Sequence, residues 1–170
     1  MDKETADKMR GMVRRVVLKN IKDNGQTQTA SVEVADGIWR EDVEIMQPFG
    51  VASHPPEDGA VTLAFAIGGD EGDMVVLPPS NPSARMGGLK AGEIGLCNNA
   101  GDKLVIDAGG NITAVSGTSL TLRVGGVTLT VSAAGIDITG GKITHNGKDI
   151  GDTHVHSGIL PGGSNTGTPA

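Results

Sequence analysis

Two histidines near the C-terminal end of the chain, His154 and His156, stand one residue apart in the segment GDTHVHSG (151–158). In an extended backbone, residues two positions apart point the same way at about 6.5–7 Å, so both imidazoles could reach one metal ion. Two ligands do not fill a coordination sphere. Two chains would supply four nitrogens, which suits tetrahedral zinc, and three chains would supply six, which suits an octahedral ion such as iron(II). The spacing therefore predicts a metal site that other copies of the chain complete.

A metal whose positions are all filled by histidine leaves no place for water or substrate, which indicates a structural rather than a catalytic site. The other candidate residues are weaker. His145 lies at a predicted turn, His54 precedes two prolines, and Cys97 is interpreted as a small hydrophobic residue. The segment GGDEGD (68–73) lacks the Lys-Ser/Thr of a phosphate-binding loop and the ligand spacing of an EF-hand. We therefore expect no enzymatic activity.

Aromatic and charged residues divide the sequence into two parts. The three aromatic residues, Trp39, Phe49 and Phe65, all lie in the first half of the chain. Residues 1–88 carry 9 basic and 14 acidic side chains, whereas residues 89–170 carry 5 and 6. Neither part is basic enough to follow a phosphate backbone, so we expect no nucleic-acid partner.

The single cysteine excludes an internal disulfide and is compatible with folding in a reducing cytosol. No apolar run approaches the roughly 18 residues of a membrane-spanning helix, and the first residues lack the apolar stretch of a signal peptide. We expect a soluble protein that is made in a cytoplasm.

The first part of the chain predicts a short helix followed by a small β-barrel. Residues 2–10 could form one or two helical turns that end at Gly11. Five short segments rich in Val and Ile follow, with turn sequences such as DNG and PPEDG between them. They predict an antiparallel barrel or sandwich, for which OB-like topology is the commonest small choice. The predicted strands are 13–21, 27–35, 42–50, 60–69 and 73–79.

Beyond a predicted linker at 78–88, apolar and polar residues alternate with a period of two over residues 89–143. Each segment has one apolar face of small or branched side chains and one polar face. A narrow ribbon without aromatic residues cannot bury such a face alone. Several copies wrapped around a shared axis would bury it. The alternative is an ordinary sandwich that packs onto the first domain.

Three stretches of the sequence resemble a known family. They are EDVEIMQPFGVASHPP (41–56), GGDEGDMVVLPPSNPSARMGGLKAGEIGLCNNAGDKL (68–104) and HNGKDIGDTHVHSGILPGGSNTGTPA (145–170). The chain resembles the central baseplate spike of contractile-tailed phages, the Mu-like version of baseplate assembly protein V. The most specific feature is a His-x-His pair followed by an end rich in Gly, Ser, Asn, Thr and Pro.

This resemblance implies an all-β homotrimer with an N-terminal OB-fold-like barrel, an intertwined β-helix shaft and a metal-bound apex. It implies one iron(II) ion per trimer, bound by His154 and His156 of all three chains, and it admits calcium and chloride ions on the axis. Carried onto this sequence, the domains are an N-terminal extension (1–11), the barrel (12–77), the linker (78–88), the shaft (89–143) and the apex (144–170).

The function that the resemblance implies is structural. A rigid needle at the baseplate tip of the virion would cap the tail tube and pierce the host outer membrane during contraction. The implied partners are two further copies of the chain, the tail tube or baseplate hub through the barrel, and transiently the host outer membrane. Assembly is expected in the host cytoplasm. The alternatives are the tip of a related contractile injection system, or a metal-binding, ligand-binding OB module.

Overall fold

The computed structural model describes residues 2–152, 154–155, 158 and 162–163. Over these residues the regular structure is mostly β-strand, with one α-helix, α1 (Lys3–Gly11), ahead of the first strand and a single 3-10 turn at Ile67–Gly69. The Asp2 side chain caps this helix by accepting a hydrogen bond from the Thr5 amide at 2.7 Å. The short helix predicted at the start of the chain is therefore confirmed.

Five strands form a closed barrel in the order β1-β2-β3-β5-β4. They are β1 (Val13–Lys22), β2 (Gln28–Ala35), β3 (Ile38–Ile45), β4 (Val61–Ala66) and β5 (Met74–Val76). Neighbouring strands are antiparallel except β3 and β5, which run parallel. The pairing of β1 with β4 closes the barrel, and the arrangement fits an OB-type fold. An all-β fold class with an N-terminal barrel is confirmed.

The core of the barrel contains aliphatic side chains and one methionine, and no aromatic ring. Along β1, Val16 and Leu18 are buried while their neighbours are exposed or half-buried. The core consists of Val16, Leu18, Ile21, Ala30, Val32, Val43, Ile45, Ala60, Ala64, Met74 and Val76. Because strand side chains alternate between faces, this pattern fixes the register of each strand.

The third strand differs from its prediction. It was expected over 42–50, but it spans Ile38–Ile45. Asp36 and Gly37 form the turn from β2, and Gly37 has a φ of +68°, a value that glycine adopts without strain. Pro48 then provides no amide hydrogen for a strand ladder, so residues after Met46 form a loop. The other four predicted strands overlap the observed ones.

Six further strands form two three-stranded antiparallel meanders, and a short hairpin follows them. The first meander consists of β6 (Ile94–Cys97), β7 (Lys103–Ile106) and β8 (Ile112–Val115). The second consists of β9 (Ser119–Val124), β10 (Val127–Ser132) and β11 (Gly135–Thr139). The hairpin consists of β12 (Thr144–His145) and β13 (Lys148–Asp149). One chain thus shows antiparallel meanders where a shaft was predicted, and the intertwined trimer stays a prediction.

The chain divides into two compact units, Met1–Gly117 and Thr118–Ala170. The barrel and the first meander belong to the first unit, and the second meander and the hairpin belong to the second. The five domains proposed from the sequence remain predictions. Among the residues that the structure describes, no helix has the length and apolar character that crossing a bilayer requires.

Candidate metal site and exposed apolar faces

The hairpin β12–β13 leads directly to the predicted metal ligands. Thr144 pairs with Asp149 and His145 pairs with Lys148 across a two-residue turn, Asn146–Gly147. Both turn residues have positive φ, +49° and +77°, as a type I′ turn requires. The ladder continues beyond the strands, because the Ile150 amide donates to the Ile143 carbonyl at 2.8 Å. This pairing fixes the backbone immediately before Gly151.

His154 is exposed and its ring is held by the backbone. Ring atom Nδ1 lies 2.5 Å from the carbonyl oxygen of Gly151, and the His154 amide also donates to that oxygen at 3.3 Å. The Gly151 amide in turn donates to Oδ1 of Asp149 at 2.9 Å. A carbonyl oxygen can only accept, so Nδ1 is the donor in this contact and Nε2 is the ring nitrogen left to face a metal. An imidazole in this form suits metal binding.

The predicted pair is described only in part, because His156 lies outside the described residues. Within the part of the chain that the structure covers, no group of three or more His, Cys, Asp or Glu side chains could hold a metal ion. The shared iron site therefore stays a prediction. His145, which was not expected to be a ligand, lies on β12 with Nε2 3.3 Å from Nδ2 of Asn146.

Two other residues considered from the sequence lie near a cleft in the first unit. His54 and Cys97 are both exposed, and both line an open cleft of about 870 Å³. Cys97 was interpreted as a small hydrophobic residue, but on β6 of a single chain it is a free, exposed thiol.

The first meander has one continuous apolar face. The strand register places Ile94, Ile106 and Ile112 in one row across the sheet, and Leu96, Leu104 and Ala114 in the next. These six residues form the first apolar face: Ile94, Leu96, Leu104, Ile106, Ile112 and Ala114. Its outermost members are well exposed, with Ile94 at 64% and Ile112 at 70%. A single chain leaves this face in contact with water.

The second meander repeats this design. Its second apolar face comprises Leu120, Leu122, Val124, Val127, Leu129, Val131, Ile136 and Ile138. In one chain Leu122 is 60% exposed, Val124 82% and Ile136 72%. The opposite side carries polar residues, with Thr121 facing Thr130 and Arg123 facing Thr128. The predicted division of these strands into one apolar and one polar side is confirmed.

Aspartate carboxylates accept hydrogen bonds in the two turns of the first meander, a feature that was not predicted from the sequence. Asp107 accepts from Nδ2 of Asn111 at 2.8 Å, from the Asn111 amide at 2.9 Å and from the Gly109 amide at 2.8 Å. Asp102 accepts from the Gly117 amide at 2.7 Å and from Nδ2 of Asn98 at 2.7 Å. The sequence pattern that could have indicated these turns is an Asp and an Asn four residues apart, Asn98 with Asp102 and Asp107 with Asn111.

These hydrogen bonds lower the pKa of both carboxyl groups. The Asn111 side chain is the largest cause of the lowered pKa of Asp107, and its backbone amide adds to it. For Asp102 the Gly117 amide is the largest cause of the lowered pKa, followed by the Asn98 side chain. Each turn is therefore held by the charged form of its aspartate.

A loop of the barrel that is closed by a β-turn presents an aromatic side chain to solvent. The Val51 amide donates to the Pro48 carbonyl at 3.1 Å, which closes a β-turn with Phe49 at its tip. Below the turn, Nε2 of Gln47 donates to Oε1 of Gln28 at 2.8 Å, and Gln28 is buried. The Phe49 side chain is fully exposed. The exposed apolar residues of this loop are Met46, Phe49 and Val51.

Comparison with known proteins gives one informative match. No curated protein matches the sequence. Residues 15–83, less than half of the chain, match the family model described as Bacteriophage Mu Gp45, N-terminal. The matched segment contains all five barrel strands apart from the start of β1. Over this segment the chain is similar to the N-terminal part of that phage protein family.

Proposed function

We propose that this chain is the central spike of a contractile phage tail, a rigid trimeric needle that caps the tail tube and pierces the host outer membrane. The match to the Mu Gp45 model supports a structural baseplate role and a place in the virion tail, and it is consistent with a protein that is not an enzyme. The observation that carries the proposal is the pair of apolar faces that one chain leaves exposed.

The trimer follows from the chemistry of those faces. Monomeric proteins rarely expose continuous apolar surfaces of this kind, and such surfaces usually mark contacts with another protein. The strands that carry them have no aromatic residue, and small branched side chains suit a narrow core around an axis. Copies of the same chain offer faces of the same size and composition. Strands wound in this way make separation of the subunits nearly equivalent to unfolding, which a needle under load requires.

The metal site would hold the three chains together at the point. His154 and His156 of each chain would bind one iron(II) ion per trimer, and the held ring of His154 supports this role. An ion with six imidazole ligands has no open position, so its contribution is to stability, at chain ends that would otherwise fray. Calcium and chloride on the axis are part of the proposal by resemblance alone.

The barrel would connect the needle to the rest of the tail. Phe49 stands on a preformed turn, and a rigid aromatic side chain of this kind is a common anchor in protein interfaces. We assign its partner as the tail tube or the baseplate hub. During contraction the apex, rather than the barrel, contacts the host outer membrane. The spike is assembled in the host cytoplasm.

Native mass spectrometry of two proteins tests the proposal. The full chain of 17.3 kDa should appear as a trimer at micromolar concentration. A truncated protein that begins at Gly88 should also be trimeric, because it keeps both apolar faces. A monomeric full chain would refute the spike. A trimeric full chain with a monomeric truncation would place the trimer contacts in the barrel.

A further inference from the structure

The predicted linker, residues 78–88, is attached to the barrel at its start. Ser80 pairs with Val61 of β4 through two backbone hydrogen bonds, of 2.8 and 2.9 Å. The next residue, Asn81, is buried, and its Nδ2 donates to two carbonyl oxygens of the PPEDG turn at 2.9 and 2.7 Å. A buried side-chain amide with both contacts made holds the backbone on either side of it. The linker therefore leaves the barrel from a fixed point.

The other end of the linker packs on the first meander. Met86 lies against Gly95 of β6: a Cβ atom built on Gly95 would overlap the Met86 methyl group and would lie 3.1 Å from its Sδ. Leu89 reaches the same place, with its Cδ1 3.6 Å from that Cβ position. A glycine inside a strand often marks a point where another part of the chain approaches the backbone closely. We call the packing of Met86 and Leu89 on Gly95 the linker contact.

The linker contact lies on the side of the first meander opposite to the first apolar face. Ile94 and Leu96, the neighbours of Gly95 on β6, belong to that face, and successive residues of a strand point to opposite sides. Gly95 pairs with Val105 of β7, which is half-buried. The linker thus covers one side of this sheet and leaves the first apolar face free for other copies of the chain.

Two glycines, Gly87 and Gly88, would make the end of the linker a natural hinge. Gly88 has a φ of +78°, which glycine adopts without strain. The residues on either side of the pair, Met86 and Leu89, both pack on Gly95, so the linker contact bridges the two glycines.

We propose that the linker contact holds the barrel and the first meander as one rigid body, so that force applied to the barrel reaches the needle without bending at the linker. Both ends of the linker are held within one chain, at Asn81 and at Met86. The contact itself is therefore a property of a single chain. Only its role in transmitting force rests on the proposed function.

Two substitutions remove the linker contact from its two sides, and trypsin reports the result. Trypsin cleaves after Arg85, an exposed residue directly before Met86, and cleavage needs a backbone segment that can open. Met86→Ala removes the side chain that packs on Gly95. Gly95→Val places a side chain that suits a strand in the same space, so that Met86 is displaced. Met9→Ala is the matched control, because Met9 is an exposed methionine in the same unit.

The readout is the rate of cleavage after Arg85 in the full-length protein, compared with the rate in a synthetic peptide of residues 78–92. We expect cleavage of the wild type and of Met9→Ala to be slower than that of the peptide by about 100-fold or more. Met86→Ala and Gly95→Val should each be cleaved about 5- to 10-fold faster than the wild type, because a half-buried methionine loses its contact. A wild type that is cleaved as fast as the peptide overturns the proposal without any variant.

A double variant separates the linker contact from a general loss of stability. If Gly95→Val acts by displacing Met86, adding it to Met86→Ala should change the cleavage rate by less than about twofold. Effects that multiply would show that Gly95→Val only weakens β6, and equal rates in the wild type and Met86→Ala would show that Met86 does not hold the linker. Either result overturns the proposal. Native mass spectrometry of the same samples shows separately whether the chain is trimeric, so a monomer would refute the spike while the cleavage rates still decide the contact.

Discussion

Replacing one leucine on the second apolar face tests whether other copies of the chain cover it. Leu122 is 60% exposed in a single chain. Full burial of a leucine side chain is worth about 1.5–3 kcal/mol, so covering the exposed part contributes roughly 1–2 kcal/mol per chain and roughly 3–5 kcal/mol per trimer. Leu122→Ala should lose most of this amount. The dissociation constant of the trimer should then rise by roughly 10²- to 10⁴-fold.

Thr121→Ala is the matched control for this substitution. Thr121 precedes Leu122 on β9, is also exposed in one chain, and points to the polar side of the sheet. Sedimentation equilibrium over a dilution series gives the trimer dissociation constant of each protein. If Leu122 instead faces water, both substitutions should change stability by no more than about 0.5 kcal/mol. Equal dissociation constants for Leu122→Ala and Thr121→Ala would therefore refute the reasoning.

Three further predictions concern the turns and the barrel loop. The pKa of Asp107 is lower in the folded than in the unfolded protein, so the stability that its carboxylate provides is present above the unfolded-state pKa and is lost as pH falls through the folded-state pKa. Asp107→Asn should therefore flatten the acid side of the pH–stability curve. A curve identical to that of the wild type would contradict this. Gly147→Ala should destabilise the apex hairpin by about 1 kcal/mol, since φ is +77° there, and thermal melts that match the wild type would speak against the turn. Phe49→Ala should leave the trimer intact and weaken binding to the tail tube or hub by about tenfold or more in a pull-down titration; equal binding would remove Phe49 from that interface.

The barrel could be predicted well because its turns are marked by residues that lie next to each other in the sequence. Alternating Val and Ile residues between the DNG and PPEDG turns indicate strands, and the buried residues of these strands form part of the observed core. The third strand begins earlier than predicted because Asp36–Gly37 is a strong hairpin signal that starts it at Ile38. It ends earlier because the apolar residues after Ile45 resemble a strand, whereas Pro48 ends the ladder. Both ends of this strand are therefore marked by local signals in the sequence.

Other features of the structure could not be predicted from the sequence pattern. The carboxylate contacts at Asp102 and Asp107 depend on the exact length of each turn, which a period-two pattern does not give. The contacts of Gly151 with Asp149 and with His154 depend on the path of the backbone after a hairpin. The metal ligands depend on a neighbour that one sequence does not describe, since two imidazoles per chain are compatible with a dimer or a trimer.

The ratio of metal to protein in the native assembly tests the central claim most directly. Protein purified without a metal-affinity step should be measured by native mass spectrometry and by elemental analysis of the same sample. The account predicts three chains and one iron ion per particle, and loss of the iron in a His154→Ala, His156→Ala double variant that remains trimeric. One metal ion per chain, or a stable monomer that retains its metal, would contradict the shared site and the needle built around it.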